Sequence, residues 1–237
     1  MEVRLLSPAH MVKKLQRREF KWDPDLAYAV GLLTTDGSLS KDGRHISLTS
    51  SDKKLIRTFL KCLHKTNKIS LNPRSKLSKK TCYRTQIGDV VFYDWLKKIG
   101  LSPNKSLIIG ALKIDKKYFP DFLRGHLDGD GSVIYYKDTY NTKIKEKYVY
   151  ERLFVLFRSA SKKHIEWMRK VIYKLKCVHG SLSFSRSKTQ IGQSKMSTLK
   201  FSTKESKILL NWIYYKQNLP CLDRKYKIGK KFLKIKY

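Results

Sequence analysis

The chain reads as an α+β protein made of a tandem repeat, each copy in the order helix, two strands, helix, two strands, helix (αββαββα). Three observations carry that reading. Two nonapeptides, AVGLLTTDG at residues 29–37 and LRGHLDGDG at 123–131, end alike, each a small-residue apolar stretch running into Asp-Gly. The segments that follow them recur in the same order with the same hydrophobic periods. The chain is also that of a folded protein: 237 residues, 41% of them hydrophobic, enough for one large domain or two small ones with a proper core.

The elements follow in order. Asp23-Pro24-Asp25 precedes the first nonapeptide and Phe119-Pro120-Asp121 the second. Proline is preset for a first helical turn and acids suit its positive end, so a helix is predicted to begin at each. Gly37 and Gly131 stand where a left-handed C-terminal cap is expected, which makes both helices short. After Gly37 comes an alternating segment ending HISLTSSDKK, then the apolar-periodic helix LIRTFLKCL; after Gly131 comes a longer one ending LFVLFRSASKK, then HIEWMRKVIYKL. Two more strand-like runs follow in each half, KISLNPRS and TCYRTQIG, then HGSLSFSRS and KMSTLKFS. Each half closes with a helix, VVFYDWLKKIG or ESKILLNWIYYKQ, and a short Pro-containing stretch with a lysine, LSPNKS or LPCLDRKYK.

Asp36 and Lys105 are 69 residues apart and Asp130 and Lys225 are 95 apart, so the second half carries 26 extra residues. About 15 fall near KDTYNTKIKEKYVYE and 11 in the later strand pair, polar basic stretches typical of loops or long hairpins. Insertions confined to connections support the repeat. The chain therefore divides into a basic N-terminal extension (1–24), a first half with its linker (25–112) and a second half (113–237).

Lys and Arg number 52 against 19 Asp and Glu, a net charge of +33 that no single segment holds. Such a charge opposes compaction by self-repulsion unless a polyanion is bound, so nucleic acid is the expected partner. No run of about 18 apolar residues and no long basic amphipathic helix points to a membrane. The N-terminus lacks a signal-peptide apolar core, and Cys62, Cys82, Cys177 and Cys221 form no Cys-x-x-Cys pair, so they read as reduced thiols of an intracellular protein. The compartment, whether a bacterial or archaeal cytoplasm or an organelle, stays open.

The repeat places Asp36 and Asp130 at the last turn of two similar helices. A helix C-terminus carries about half a negative charge and favours cations, so carboxylates there are misplaced. If the repeats pack together, the pair calls for a divalent cation between them.

On these motifs and the repeat around them, from about Leu26 to Lys231, the chain resembles the LAGLIDADG homing endonuclease family in its single-chain, two-motif form. The resemblance implies a pseudo-twofold fold with two antiparallel, saddle-shaped sheets and the helices on one face. It implies motif helices in contact through small residues, here Gly31, Thr35, Gly125 and Gly129. Its sixth motif position, often acidic, is Thr34 in one half and Asp128 in the other, the latter read as a cap or surface partner; both eighth positions hold Asp. It further implies a Mg²⁺-dependent phosphodiester hydrolase using two or more divalent ions, with Asp36 and Asp130 as shared ligands and the carbonyls of Thr35 and Gly129 completing the set. Lys105 and Lys225 match the basic positions near each scissile phosphate, Arg224 being the nearest competitor to Lys225. The polar residue that relatives often carry as Gln after the second strand is Ser50 and Ser159 here, with Lys54 and Lys163 nearby.

Recognition is expected from the strands, whose alternate residues face opposite sides. Ile46 and Leu48 are predicted to pack under the helices. In the first half the residues expected on DNA are Ser38, Ser40, Arg44, His45, Ser47, Thr49, Ser70, Asn72, Arg74, Lys76, Arg84 and Gln86. In the second they are Ser132, Tyr136, Arg158, Ser183, Ser185, Arg186, Lys188, Lys195, Thr198 and Lys200. Such side chains can read base edges in a major groove. Two unequal sheets in tandem imply a monomer on an asymmetric double-stranded site of about 20 bp, since one helical turn spans about 10 bp. The expected reaction is a double-strand break with short 3′ overhangs, as in intron homing. An intron RNA-binding maturase that assists splicing is the alternative.

Overall fold

The computed structural model describes residues 19–72, 81–139, 149–189 and 192–233, with only the backbone at 186–189 and 192–194. The first half runs α1 (Pro24–Thr35), β1 (Gly37–Leu39), β2 (His45–Ser50), α2 (Lys53–Cys62), β3 (Ile69–Asn72), β4 (Cys82–Gly88), α3 (Val90–Lys98). The second runs α4 (Phe119–Asp128), β5 (Ser132–Asp138), β6 (Tyr150–Ser159), α5 (Lys162–Lys176), β7 (Ser181–Thr189), β8 (Gly192–Phe201), α6 (Thr203–Ile213), and adds α7 (Asp223–Lys230). Both halves thus keep the expected element order. Their four-stranded antiparallel sheets share one topology, β1-β2-β4-β3 and β5-β6-β8-β7. Lys225 lies inside α7, an element that the proline-containing stretch around Pro220 does not announce.

The sequence builds these elements by ordinary means. Asp23 caps α1, its side chain accepting from the Leu26 amide at 2.7 Å, with Pro24 at the first turn. Asp52 caps α2 and Asp89 caps α3 in the same way. Ile46, Leu48 and Ile87 in one sheet, and Leu153, Val155, Phe157, Leu199 and Phe201 in the other, point inward and join a single apolar cluster with the helices. Each such side chain, fully buried, stabilises by about 1.5–3 kcal/mol. α1 is buried on all sides from Leu26 to Thr34, the mark of a helix at the centre of the molecule rather than on its surface.

The insertions lengthen the second sheet. β5 pairs with β6 from Ser132↔Leu156 to Asp138↔Tyr150, whereas β1 and β2 share only Gly37↔Leu48 to Leu39↔Ile46. The latter part of the N-terminal extension is not a free arm: Phe20 packs on Phe92 (ring centroids 5.0 Å) and Trp22 on Trp95 (4.9 Å). All four cysteines are free thiols. Among the described residues no helix is long and apolar enough to cross a membrane.

Gly37 and Gly131 depart from the expected left-handed caps; positive φ among the described glycines occurs at Gly43, Gly100 and Gly180. Their reason is space. A Cβ on Gly37 would lie 2.6 Å from Leu33 Cα, and one on Gly131 2.7 Å from Leu127 Cα, because each strand starts directly against the last turn of its helix.

Candidate active site

Helices α1 and α4 meet backbone to backbone. A Cβ on Gly31 would fall 2.3 Å from the Phe122 carbonyl oxygen, and one on Gly125 2.1 Å from that of Tyr28 and 3.1 Å from Gly31 Cα. One turn further on, a Cβ on Gly129 would meet Thr35 Oγ1 at 1.9 Å and Asp36 Oδ2 at 3.0 Å. The four small residues Gly31, Thr35, Gly125 and Gly129 therefore form the contact, and the two helix ends carrying Asp36 and Asp130 come together.

The electrostatics at those ends follow. Burial, and then the neighbouring Asp130, push the Asp36 carboxyl up to about 6, against the pull of Lys225 and Lys105. Burial also raises Asp130, opposed by Lys225, Lys105 and Arg158. Lys105 and Lys225 are 5% and 3% exposed, the only buried lysines among the described residues. Lysine is almost never buried without partners. Lys225 Nζ donates to the carbonyls of Leu127 (2.6 Å), Asp128 (2.8 Å) and Gly129 (3.0 Å) at the end of α4, and Lys105 Nζ donates to that of Gly37. Burial brings each ammonium down to about 8, against the pull of Asp36 and Asp130 on both. Arg224, beside Lys225, is exposed. The structure so gathers Asp36, Asp130, Lys105 and Lys225 from two halves of the chain into one cluster, the lysines buried, Asp36 half-buried and Asp130 open to solvent.

Among the described residues no group of three or more His, Cys, Asp or Glu is placed to hold a metal. The donors at the cluster are two carboxylates with main-chain oxygens nearby. That set is hard and oxygen-only, it is destabilised as anions by burial, and its lysines are anchored on carbonyls. It fits a cation that takes few protein ligands and keeps several waters, as Mg²⁺ does.

Asp128, expected as a cap or a surface partner, is buried and holds the residue before α7. It is 1% exposed, and its Oδ2 accepts from the Leu222 amide, at the start of α7, at 2.7 Å and from Tyr28 hydroxyl at 2.8 Å. It thus ties the helix carrying Lys225 to both motif helices, while its counterpart Thr34 bonds only the Val30 carbonyl in its own helix. Tyr28→Phe removes a donor from a buried carboxylate. Equilibrium denaturation is expected to show a loss of about 1–3 kcal/mol; unchanged stability would mean the bond is not made.

Ser50 and Ser159 turn back on their own chains, accepting from the amides of Asp52 and Ser161, each at 3.1 Å. Lys54 is drawn to Asp223 across the halves and so is engaged away from the cluster.

On the sheet surface away from the helices, register groups the expected contacts of the first half. Ser38 faces Ser47, Ser47 faces Gln86, Thr49 faces Arg84, and Arg84 faces Ser70. Ser47 is itself buried by these neighbours. Ser40 joins His45 through its amide, Arg44 is exposed on the turn before β2, and Asn72 ends β3. Arg74 and Lys76 lie outside the described residues. In the second half Ser132, Tyr136, Arg158, Ser183, Ser185, Thr198 and Lys200 share the outward set. Lys195 does not: it pairs with Arg186, in the alternate set with Leu182↔Leu199, and Lys188 falls there too. Counting from Thr198 back to Lys195 crosses an odd number of residues, which reverses the face. The outward set also holds Ile134, Phe154 and Leu156, which pattern reading passes over because LFVLF in β6 reads as core throughout.

Comparison with known proteins agrees with this geometry. Residues 23–100 match the family model of a LAGLIDADG-like domain. An uncharacterized protein of Methanocaldococcus jannaschii is 26% identical over 155 residues; the match takes in 64% of this chain and 55% of the relative, so the chain spans about half the length of that curated relative. The homing endonuclease I-WcaI bound to its DNA recognition sequence superposes with a TM-score of 0.58 at 11% identity, covering 96% of this chain and 95% of that one. The LAGLIDADG meganuclease I-AabMI bound to uncleaved DNA gives 0.54 at 14% identity and 89% of each chain. Full-length DUF199/WhiA from Thermatoga maritima gives 0.51 at 15%, covering 95% of this chain and 66% of that one. Residues 23–100 thus match a LAGLIDADG-like domain, and the whole chain shares the fold of the homing endonuclease I-WcaI and the LAGLIDADG meganuclease I-AabMI.

Proposed function

We propose that the chain is a site-specific DNA endonuclease that makes a Mg²⁺-dependent double-strand break in an asymmetric target of about 20 bp, that being two turns of duplex, and leaves short 3′ overhangs. One observation carries the reading. Two carboxylates and two buried lysines, each pair drawn from both halves, converge where the glycine-packed helices end. Binding alone has no use for paired acids at helix ends beside buried lysines whose ionisation burial opposes. Phosphodiester hydrolysis does, because it needs a water activated and a crowded anionic centre stabilised.

A bound divalent ion supplies Lewis acidity there, lowering the pKa of a water and offsetting phosphate charge. Asp36 and Asp130 would hold it, with the Thr35 carbonyl and that of Gly129, whose oxygen also accepts from Lys225 Nζ at 3.0 Å. Lys105 and Lys225, pinned by main-chain oxygens, place fixed positive charge beside each scissile phosphate at no cost of reorganisation. With values near 8 both remain mostly protonated at pH 7. The two outward sheet faces lie along the duplex as one long reading surface, as recognition of an intron-homing target by a single chain requires.

The test is cleavage selection from a randomised duplex library with Mg²⁺. The expected products carry short 3′ overhangs at one enriched asymmetric sequence. Because Asp36 titrates near 6 and takes a metal only as carboxylate, the cutting rate at fixed Mg²⁺ should fall as pH drops through 6. A rate flat between pH 5 and 7.5 removes Asp36 from the metal site. Tight binding of intron RNA with no DNA cut at any sequence would replace this reading with the maturase.

A further inference from the structure

The outward faces of the two sheets differ in kind at matching places. In the first sheet the pairs next to the motif are Ser38 with Ser47, then Ser40 with His45, joined by the Ser40 amide to the His45 carbonyl at 2.9 Å. In the second the same pairs are Ser132 with Leu156, then Ile134 with Phe154. Polar residues have given way to apolar ones on a surface that faces away from the core.

Leu156, 8% exposed, is the buried floor of this patch, and the rest is not part of the interior. The opposite face of β6 fills the core with Leu153, Val155 and Phe157, each 0% exposed, while Ile134 is 39% and Tyr136 47% exposed. Tyr136 lies 6.2 Å from the Phe154 ring, and the Lys200 ammonium sits 3.8 Å over that ring. Exposed Arg158 stands two residues along β6 from Leu156. The patch is therefore ringed by cations, which suits a polyanion presenting local apolar groups and not a second apolar protein face. In the major groove the apolar group that base pairs present is the thymine 5-methyl.

We propose that Ile134, Phe154 and Tyr136 determine specificity by packing on thymine methyls in the second half of the target. The assignment rests on the DNA-cleaving reading above. Ile134 is two residues, about 7 Å, along β5 from Ser132, which adjoins the Asp130-Gly131 motif, so the thymines belong to the inner part of that half-site. The first sheet, with serines and a histidine in those places, has no such preference.

The experiment takes the sequence recovered by cleavage selection and replaces its thymines, one at a time, by deoxyuridine, which removes the methyl and keeps every hydrogen bond. Binding by the wild-type protein in Ca²⁺ should weaken about fourfold for each methyl contacted in the inner second half-site, the worth of one buried methyl group. The same exchange in the first half-site should leave it unchanged. Ile134→Ser combined with Phe154→His, which copies the first sheet, should bind both DNAs alike. Equal affinity of the wild type for thymine and uracil, or a selected half-site without thymine there, overturns the proposal while leaving the endonuclease standing. Recovery of no cleaved sequence at all sinks the endonuclease reading itself. The wild-type comparison decides even if the double variant fails to fold.

Discussion

Asp36→Asn and Asp130→Asn are each expected to reduce double-strand cleavage by about a thousandfold or more while leaving DNA affinity nearly intact. The size follows from the several kcal/mol that a metal-borne charge supplies to a transition state, each 1.4 kcal/mol being tenfold. Cleavage and binding are measured on one substrate, by gel and by titration in Ca²⁺; a variant that still linearises DNA at a wild-type rate refutes the assignment. Stability should move the other way. A carboxyl whose folded value is raised, to about 6 for Asp36, holds its proton more tightly in the folded state than in the unfolded one. The destabilising effect of ionising it is complete above about pH 6 and fades as the pH falls from there toward the ordinary carboxylate value. In chelator at pH 7.5, Asp36→Asn should therefore unfold later than wild type, by at most about 3 kcal/mol at 1.36 kcal/mol per unit. At pH 3, below the ordinary carboxylate value, the gain should vanish. Added Mg²⁺ should raise the melting temperature of the wild type and leave that of the variant unmoved.

Gly125→Ala is expected to cost about 3 kcal/mol or more, the upper range for forcing an extra carbon into a packed interior. The added Cβ would stand 2.1 Å from the Tyr28 carbonyl oxygen and 3.1 Å from Gly31 Cα, all main-chain atoms that cannot rotate aside. In a chain of this length that is a fall of about 10 °C in Tm. Gly110→Ala is the control, since its new methyl would have nothing within 4 Å and its φ is not positive. Equal melting temperatures for the two variants would mean that α1 and α4 do not touch as closely as described. Gly129→Ala should cost less than Gly125→Ala, because its nearest neighbour is the Thr35 side chain, and Thr35→Gly should recover part of that loss.

The element order is legible in the sequence because period and punctuation agree. Asp23-Pro24 and Phe119-Pro120 do start helices, and the strand runs pair as their alternation requires. The small-residue stripe is legible too, since residues four apart share a helix face. What escapes is whatever depends on distant chain or on close backbone approach. Gly37 resembles a cap because an Asp-Gly after a helix usually is one; its actual constraint is the Leu33 backbone behind it. Asp128 shows no sign of burial in the sequence because its partners Tyr28 and Leu222 are 100 and 94 residues away. Helix α7 is strongly basic, and its sequence carries little apolar periodicity to betray it. Lys195 looks like a DNA contact by proximity in sequence, where parity decides. Lys105 and Lys225 are reached through resemblance, and burial sets them apart from the other lysines among the described residues.

Helix α1, enclosed from Leu26 to Thr34, gets its cover from α4 of the other half. A gene cut between the halves would leave that helix with an open flank of leucine, valine and tyrosine, and either product made by itself would aggregate. The two pieces should regain solubility only when synthesised together.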